Sequence, residues 1–298
     1  MNTTSAFIAI TGKPNVGKSS LLNRILGQKL AAVSSKPQTT RTRIMGVYTK
    51  NELQLVFLDT PGLHRPRNRL GDFMVKTVAD CISGVDACIM VAEPYDRLNE
   101  SEEQLIAQYR RDKMPVVLAI NKIDTVKDKE KLLEVIAEFT GRYDFDAVVP
   151  ISAKTGEGVD ELLEEIKKYA FESPHFFDDD VLTDMPEKAI VAEIIREKFL
   201  LNMQREVPHG LAVSVEKMLE RGDGGITDIE AIIYCEKQSH KPIIIGKSGS
   251  MLKKVGSQAR HDIEEFLQCR VNLQCWVKVK EDWRNKQGLL RSFGFESE

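Results

Sequence analysis

The chain has 298 residues, 29% of them charged, and a formal net charge of −3, so it is long enough to form two hydrophobic cores. Every apolar run is shorter than the roughly 20 residues of a membrane span, and residues 1–11 lack the basic segment and cleavage site of a secretory signal. The five cysteines are an odd number without a CxxC pair, which is typical of a reducing compartment. We therefore expect a cytoplasmic protein without a transmembrane segment.

Short apolar runs alternate with helix-like stretches in the first half of the chain. The runs are rich in branched side chains and lie at Phe7–Ile10, Leu53–Leu58, Ala87–Val91, Val116–Ile120 and Ala147–Ile151. Helical periodicity between them covers Ser20–Leu26, Arg69–Ile82, Ser101–Arg111, Lys127–Phe139 and Gly158–Tyr169. This alternation predicts an α/β fold with a mostly parallel sheet and helices on both faces. Ligands of such sheets bind where the strands end.

A phosphate-loop pattern, GxxxxGK[ST], follows the first predicted strand and precedes a helix. In such a strand–loop–helix, backbone N–H groups surround an anion at the start of the helix. Lys18 would reach the β- and γ-phosphates of a nucleotide, and the Ser19 hydroxyl would bind a magnesium ion. A turn that binds nothing is the alternative. The pattern and the residue after it are Gly12, Lys13, Pro14, Asn15, Val16, Gly17, Lys18, Ser19 and Ser20.

The run Leu53–Leu58 ends in a second candidate motif. A carboxylate at this strand end can hold magnesium through its water shell, and a glycine N–H can approach a γ-phosphate. The motif and its next neighbour are Asp59, Thr60, Pro61, Gly62 and Leu63.

Two further motifs predict recognition of guanine. A carboxylate in the plane of the base accepts hydrogen bonds from the ring N1–H and the exocyclic amine of guanine, and adenine offers neither donor there. A site built on such bonds favours GTP over ATP. The first motif follows the run Val116–Ile120 and consists of Asn121, Lys122, Ile123 and Asp124. The second follows the next run, places a backbone N–H near the guanine oxygen, and consists of Ser152, Ala153 and Lys154.

These four motifs, in this order and each after a predicted strand, resemble the nucleotide-binding domain of translation-factor-related GTPases. The resemblance covers about residues 1–172 and implies a switch segment at 38–41, where Thr40, or alternatively Thr39, completes the magnesium shell. We expect the γ-phosphate to be attacked with help from Lys18, Thr40 and Gly62.

Two residues depart from the best-known small GTPases. Leu63 stands where those proteins place a glutamine that orients the attacking water, so we expect slow hydrolysis by the chain alone. Backbone groups, another residue, a partner or a cation must then supply what the glutamine supplies. Asn15 resembles the asparagine of potassium-activated GTPases, which makes potassium a second expected cofactor.

The periodic pattern breaks after residue 172, and the proline-containing, acidic stretch 173–187 is interpreted as a linker. Residues 188–298 then predict a smaller α+β domain. Its expected elements are a helix at Glu187–Met203, strands at Leu211–Leu219 and Ile226–Cys235, a helix at Met251–Leu267 and a strand at Val271–Val279.

The motif of this second domain is a GxxG sequence of the kind found in KH domains, which clamp about four nucleotides of single-stranded RNA. Six basic residues and no acidic one lie between Glu236 and Asp262, which favours an anionic partner. A plain helix–turn–helix is the alternative. Trp283 is a candidate for base stacking, whereas Trp276 alternates within a strand and is expected to pack. The predicted RNA-binding residues are Ile244, Ile245, Gly246, Lys247, Ser248, Gly249, Lys253 and Lys254.

A GTPase domain followed directly by a type II KH domain resembles the Era family of bacterial GTPases over nearly the whole chain. The resemblance rests on residues 12–20, 38–41 and 242–249. It implies a monomeric GTP/GDP switch that binds the 3′ region of 16S ribosomal RNA, assists assembly of the 30S subunit and contacts the inner membrane peripherally. Three alternatives stay open: a GTPase acting on the large subunit or tRNA, an RNA-binding module with a structural nucleotide, and a membrane-associated signalling switch.

Overall fold

The computed structural model describes residues 3–36, 38–63, 66, 68–95, 97–204, 206–222 and 225–295. The chain forms two compact units. The first comprises Met1–Val33, Thr40–Pro66 and Met74–Asp184, and the second comprises Ser34–Thr39, Arg67–Phe73 and Met185–Glu298. Among the described residues, no helix has both the length and the apolar character needed to cross a bilayer.

A mostly parallel sheet forms the centre of the first unit. Its strands are β1 Thr4–Thr11, β2 Ile44–Lys50, β3 Leu53–Asp59, β4 Ala87–Ala92, β5 Val116–Ile120, β6 Ala147–Pro150 and β7 Phe171–Glu172. The strand order is β2-β3-β1-β4-β5-β6, with β7 paired to β1. Only β2 and β7 run antiparallel to their neighbours among the described strands. The predicted α/β fold is confirmed.

The helices of the first unit connect these strands. They are α1 Lys18–Leu26, α2 Arg69–Ser83, α3 Glu100–Asp112, α4 Lys129–Thr140 and α5 Val159–Lys167. Of α2, residues 74–83 belong to the first unit and residues 69–73 to the second. Every residue of β4 and of β5 is buried, as expected for parallel strands covered on both faces. The strand ends therefore meet at one edge of a rigid core, and this edge carries the predicted motifs.

The segment after the first sheet packs closely rather than hanging free. The Gln54 side chain exchanges two hydrogen bonds with the backbone of Phe177, at 2.9 and 3.0 Å. The rings of Phe7 and Phe176 are stacked with their centroids 4.7 Å apart. Residues 173–184, interpreted from their composition as a linker, thus belong to the first unit.

The second unit has the element order helix–strand–strand–helix–helix–strand. Its principal elements are α6 Glu187–Asn202, β8 Ala212–Glu220, β9 Ile226–Cys235, α7 His240–Ile245, α8 Ser250–Leu267, β10 Arg270–Val279 and α9 Gln287–Ser292. The sheet order is β10-β9-β8, in which β9 is parallel to β10 and antiparallel to β8. The predicted type II KH order is confirmed.

One early segment of the chain is part of this second unit. Within it, the Lys36 ammonium donates to the carbonyls of Leu200 and Met203, at the end of α6. The buried guanidinium of Arg196 donates to the carbonyl of Thr39. Residues 34–39 are therefore held by α6.

Candidate functional site

The phosphate loop adopts a backbone that requires glycine at two positions. Gly12 has φ 139°, and a Cβ placed there would lie 2.3 Å from the carbonyl oxygen of Val91. Gly17, with φ 101°, caps α1, and its added Cβ would lie 2.2 Å from Nδ2 of Asn121. Any side chain at either glycine would force the strand ends apart.

The side chain of Lys18 lies within this loop. Its ammonium donates to the carbonyls of Gly12, at 3.1 Å, and Lys13, at 2.9 Å. The residue is 5% exposed, and burial lowers the pKa of Lys18 to about 8 despite the opposing influence of Asp59. A desolvated ammonium bonded only to carbonyl dipoles gains strongly from an incoming phosphate.

Three oxygen-bearing side chains converge beside the loop. Oγ of Ser19 donates to Oδ2 of Asp59 at 2.6 Å, and Oγ1 of Thr40 lies 2.8 Å from the Ser19 Oγ and 3.3 Å from the same carboxylate oxygen. Burial raises the pKa of Asp59 to about 6. In the described part of the chain, the buried Oδ1 of Asp59 has no hydrogen-bond partner. Two hydroxyls and an unsatisfied carboxylate oxygen are ligands that fit a magnesium ion.

The loop after β3 lies against the phosphate loop. A Cβ added to Gly62 would lie 2.6 Å from Cα of Pro14, so only glycine permits this approach. Thr60 is fully buried and its hydroxyl donates to the carbonyl of Ile10 at 2.8 Å, which fixes the start of the loop. Leu63 packs in the apolar core with Val78 and other residues. Its side chain therefore offers nothing to orient a water.

Asn121 joins the loops that follow three strands. Its Nδ2 donates to the carbonyl of Val16 at 2.7 Å, and its Oδ1 accepts from the backbone N–H of Ala153 at 2.9 Å. The backbone N–H of Ile123 in turn donates to the carbonyl of Ile151 at 3.2 Å. The buried side chain of Asn121, 2% exposed, therefore stabilises the loop that is predicted to bind the base.

The carboxylate of Asp124 is oriented from one side. Its Oδ1 accepts a hydrogen bond from the Ser152 hydroxyl at 2.8 Å. Its Oδ2 lies 3.9 Å from Nζ of Lys154, whose side chain is 84% exposed. One carboxylate oxygen is held by the protein while the other lies near an exposed ammonium, an arrangement suited to accept hydrogen bonds from a base.

Two residues outside the predicted motifs, Glu93 and Arg24, support these loops. Glu93 is ion-paired with Lys122, whose ammonium also donates to the carbonyl of Asn15 at 2.7 Å. Arg24 donates from Nε to the carbonyl of Ala153 at 3.0 Å and also bonds the carbonyl of Lys154. Glu93 comes directly after β4, so the rule that chemistry follows strand ends would have found it. Arg24 carries no such signal, because it lies in the last turn of α1 and not at a strand end.

The GxxG sequence forms the sharp turn between α7 and α8. Gly246 has φ 77°, and a Cβ there would lie 2.6 Å from the backbone nitrogen of Met251. Gly249 has φ 79° and open space where its Cβ would be. Lys247 and Ser248 project as exposed residues between them. The turn thus presents backbone and one ammonium to solvent.

The apolar side chains before this turn differ from the prediction. Ile244 is fully buried and supports the turn from inside, whereas its neighbour Ile243 is 52% exposed. Helical geometry explains the difference, because consecutive residues of α7 point to different faces. Ile245 is half-buried.

A groove of about 530 Å³ runs between α8 and β10, beside the GxxG turn. The basic side chains of Lys253 and Arg260 and the polar side chain of Asn272 line it, together with apolar residues such as Leu252 and Leu273. Lys254 is exposed but does not line the groove. A basic rim over an apolar floor suits an unpaired nucleic acid strand.

The burial of the two tryptophans differs from the expectation. Trp283 is fully buried, its indole N–H donates to the carbonyl of Gly210 at 2.9 Å, and its ring stacks on Phe295. Arg284 next to it is ion-paired with Glu236. Stacking of bases on Trp283 was therefore a wrong prediction, because this ring belongs to the core. Trp276, expected to pack, is 44% exposed.

Sheet order, phosphate loop and GxxG turn together define a P-loop GTPase domain joined to a KH domain. A family model described as 50S ribosome-binding GTPase matches residues 7–122, and one described as KH domain matches residues 206–284. GTPase Era of Clostridioides difficile (strain 630) is 47% identical over 291 residues, covering 98% of this chain and 98% of the relative. GTPase Era of Ruminiclostridium cellulolyticum is 48% identical over 297 residues, covering 100% of this chain and 99% of the relative. The chain belongs to the Era family of GTPases and is a GTP-hydrolysing enzyme.

Two solved structures are similar over the same extent. A variant of Aquifex aeolicus Era bound to GDP and AlF4− has a TM-score of 0.95 and 36% identity, covering 99% of this chain and 100% of that one. A structure of Era in complex with MgGDPNP and nucleotides 1506–1542 of 16S ribosomal RNA has a TM-score of 0.93, with the same identity and coverage. Both units of the chain thus have counterparts within a single relative.

Proposed function

We propose that this chain is a guanine-nucleotide switch that binds the 3′ region of 16S ribosomal RNA and assists assembly of the 30S subunit. The observation that carries the proposal is the presence, on one chain, of the Lys18–Asp59–Asp124 nucleotide site and the basic groove beside the GxxG turn. The relative solved with nucleotides 1506–1542 of 16S ribosomal RNA supports this choice of RNA. Sequencing the RNA that crosslinks to Lys247 in cells tests it, since a large-subunit or tRNA sequence would favour the alternative.

In this proposal, residues 1–172 form the nucleotide-binding domain and 188–298 the RNA-binding domain. Residues 173–187 are the linker between them, of which residues 173–184 pack with the first unit. Asp124 accepts hydrogen bonds from the guanine N1–H and amine, while Asn121 and Lys122 hold the loop that presents it. The N–H of Ala153 already donates to Asn121 and that of Ser152 to the carbonyl of Glu157, so recognition of the guanine oxygen falls to the backbone N–H of Lys154. Discrimination against ATP follows because adenine would leave the carboxylate unpaired.

Hydrolysis proceeds by attack of water on the γ-phosphate. Ser19, Thr40 and Asp59 would hold magnesium, which offsets phosphate charge when it is bound. Lys18 binds the β- and γ-phosphates and stabilises the charge that develops on them. Gly62 brings its backbone N–H toward the γ-phosphate, as its close approach to Pro14 supports. Because Leu63 cannot orient the attacking water, turnover is slow without a further factor.

Potassium is a second cofactor in this proposal. The backbone at Asn15 is left-handed, with φ 69°, and its carbonyl is held by Lys122. A cation bound near the Asn15 side chain would add positive charge beside the phosphates, where other GTPases use an arginine.

Loss of the γ-phosphate is transmitted through the switch segment. Thr39 is bonded by Arg196, and the next residue along the chain, Thr40, lies in the magnesium cluster. Release of Thr40 therefore changes the constraint on Thr39 and α6. Because coupling of binding is reciprocal, RNA that prefers the GTP form tightens GTP binding by the same factor. RNA without any effect on GTP affinity would contradict this coupling.

The remaining parts of the proposal concern the cell. We propose a cytoplasmic monomer with a peripheral contact to the inner membrane. Sedimentation of the purified protein tests whether it is a monomer. Flotation with liposomes, with and without RNA, tests the membrane contact.

A further inference from the structure

An exposed tryptophan stands at the edge of the second sheet. Trp276 lies on β10, one of the two edge strands among the described strands of this sheet, and is 44% exposed. Along the strand, Val271 and Val277 are buried on one face, and Trp276 points to the other. A large part of this aromatic side chain therefore faces solvent.

The groove reaches the face of Trp276 at Asn272, four residues earlier on β10. The other β10 residues that line the groove, Val271, Leu273 and Cys275, alternate to the opposite face. Because β10 is an edge strand, a nucleic acid strand that leaves the groove past Asn272 and crosses this edge meets the Trp276 ring. Lys253, on the opposite wall, lies beside the GxxG turn.

Charge on this edge favours an anionic occupant. Residues 270–280 include Arg270, Lys278 and Lys280 and no acidic residue. The acidic groups of β9 that share the face are paired. Asp228 accepts from Arg221 at 2.7 and 2.9 Å, and Glu230 lies 3.8 Å from the Lys217 ammonium. The exposed lysines beside Trp276 are thus left to meet phosphates.

We propose that Trp276 is a stacking platform for one base of the RNA strand held in the groove. This inference rests on the proposed RNA-binding function and extends it to a residue outside the GxxG turn. An indole face stacks on any base, and the neighbouring Lys278 and Lys280 contact the backbone of the same strand. Loss of one such stack weakens binding roughly 5- to 150-fold.

The two tryptophans make the test direct. Trp276 is the exposed one and Trp283 is fully buried, so the latter reports on the fold and not on bases. Full-chain protein is titrated with a single-stranded oligonucleotide of the 16S 3′ region, and both intrinsic fluorescence and anisotropy of labelled RNA are followed. Trp276→Phe keeps an aromatic face, Trp276→Ala removes it, and Leu219→Ala is the matched control, because Leu219 is 57% exposed on β8 of the same sheet.

We expect RNA to quench the fluorescence of the unmodified protein, and Trp276→Phe to abolish the quenching with affinity nearly kept. Trp276→Ala should lose affinity at least about fivefold while Leu219→Ala changes it less than about twofold. Normal RNA binding by Trp276→Ala, without quenching in the parent, would overturn the stacking role and leave the RNA-binding function intact. If Trp276→Ala binds RNA normally but binds whole 30S subunits more weakly, Trp276 contacts a protein instead of a base. Failure of the parent to bind RNA would overturn the proposed function itself.

Discussion

The hydroxyl of Ser19 donates to the carboxylate of Asp59 across 2.6 Å, which joins the start of α1 to the end of β3. The two residues are 40 positions apart, and both end at the same cluster only because β1 and β3 are parallel neighbours. The second carboxylate oxygen is buried and has no hydrogen-bond partner in the described part of the chain, which fits a site for a magnesium ion. This pair therefore links the sheet order to the chemistry.

Ser19→Ala should weaken magnesium-dependent GTP binding. The change removes one of the proposed magnesium ligands and leaves more of Asp59 unsatisfied, so we expect a loss of about 10- to 100-fold in the presence of magnesium. With EDTA present, variant and parent should bind GTP almost equally. Titration with a fluorescent GTP analogue measures both, and Ser83→Ala, on the exposed end of α2, is the control. Equal losses with and without magnesium would remove Ser19 from the metal site.

Glu93→Gln should weaken GTP and GDP binding by the same modest factor. Glu93 acts through Lys122, and the pair is partly exposed, so a loss of about two- to fivefold is expected. Turnover at saturating GTP should not change, because Glu93 contacts neither phosphate nor water in this account. Nucleotide titration and single-turnover hydrolysis separate the two effects, with the exposed Glu103→Gln as control. A fall in the hydrolysis rate at saturation would contradict this role.

Potassium should accelerate GTP hydrolysis, and the acceleration should depend on Asn15. We expect a rate at least about tenfold higher in potassium than in sodium at equal ionic strength, since a well-placed positive charge lowers the barrier by more than about 1.4 kcal/mol. Asn15→Ala should hydrolyse GTP equally slowly in both salts while binding GDP normally. Phosphate release measured in matched buffers decides the matter, and equal rates for the parent would remove potassium from the mechanism.

Lys247→Glu should weaken RNA binding and lower its dependence on salt. Lys247 is exposed at the tip of the GxxG turn, so its ammonium is available to one phosphate. Removing one contact to single-stranded RNA should reduce the slope of log affinity against log salt by about 0.7. Anisotropy titrations at several salt concentrations give the slope, and Lys131→Glu, exposed on α4, provides the control. An unchanged slope would mean that the turn does not hold phosphate.

Elements with a strong periodic or punctuated pattern were predictable from the sequence. The limits of β5 and β9 agree with the residues assigned from their sequence patterns, because the fully buried β5 and the alternating β9 are both bounded by polar loops. The two-residue β7 was not predicted, since it is formed by pairing with Thr4 and Ser5 rather than by its own propensity.

Site residues were predictable only where local sequence determines them. The three glycines Gly12, Gly17 and Gly62 are required by backbone contacts, so a motif captures them. The exposure of Trp276 and the burial of Trp283 depend on which strand lies at the sheet edge and on packing against Phe295. Both depend on tertiary structure, so the alternation of residues along one strand does not predict them.

Selectivity for guanine is the central claim, and replacing Asp124, the proposed partner of the base, tests it most directly. Asparagine in place of Asp124 still accepts from N1–H but donates where the carboxylate accepted, so it suits xanthine, which carries an oxygen where guanine carries its amine. The affinities of the parent and of Asp124→Asn for GTP, ATP and XTP are measured. The parent should bind GTP at least about 1000-fold more tightly than ATP, and the variant should prefer XTP over GTP. Equal uptake of ATP and GTP by the parent, or undiminished GTP preference in the variant, would contradict the account.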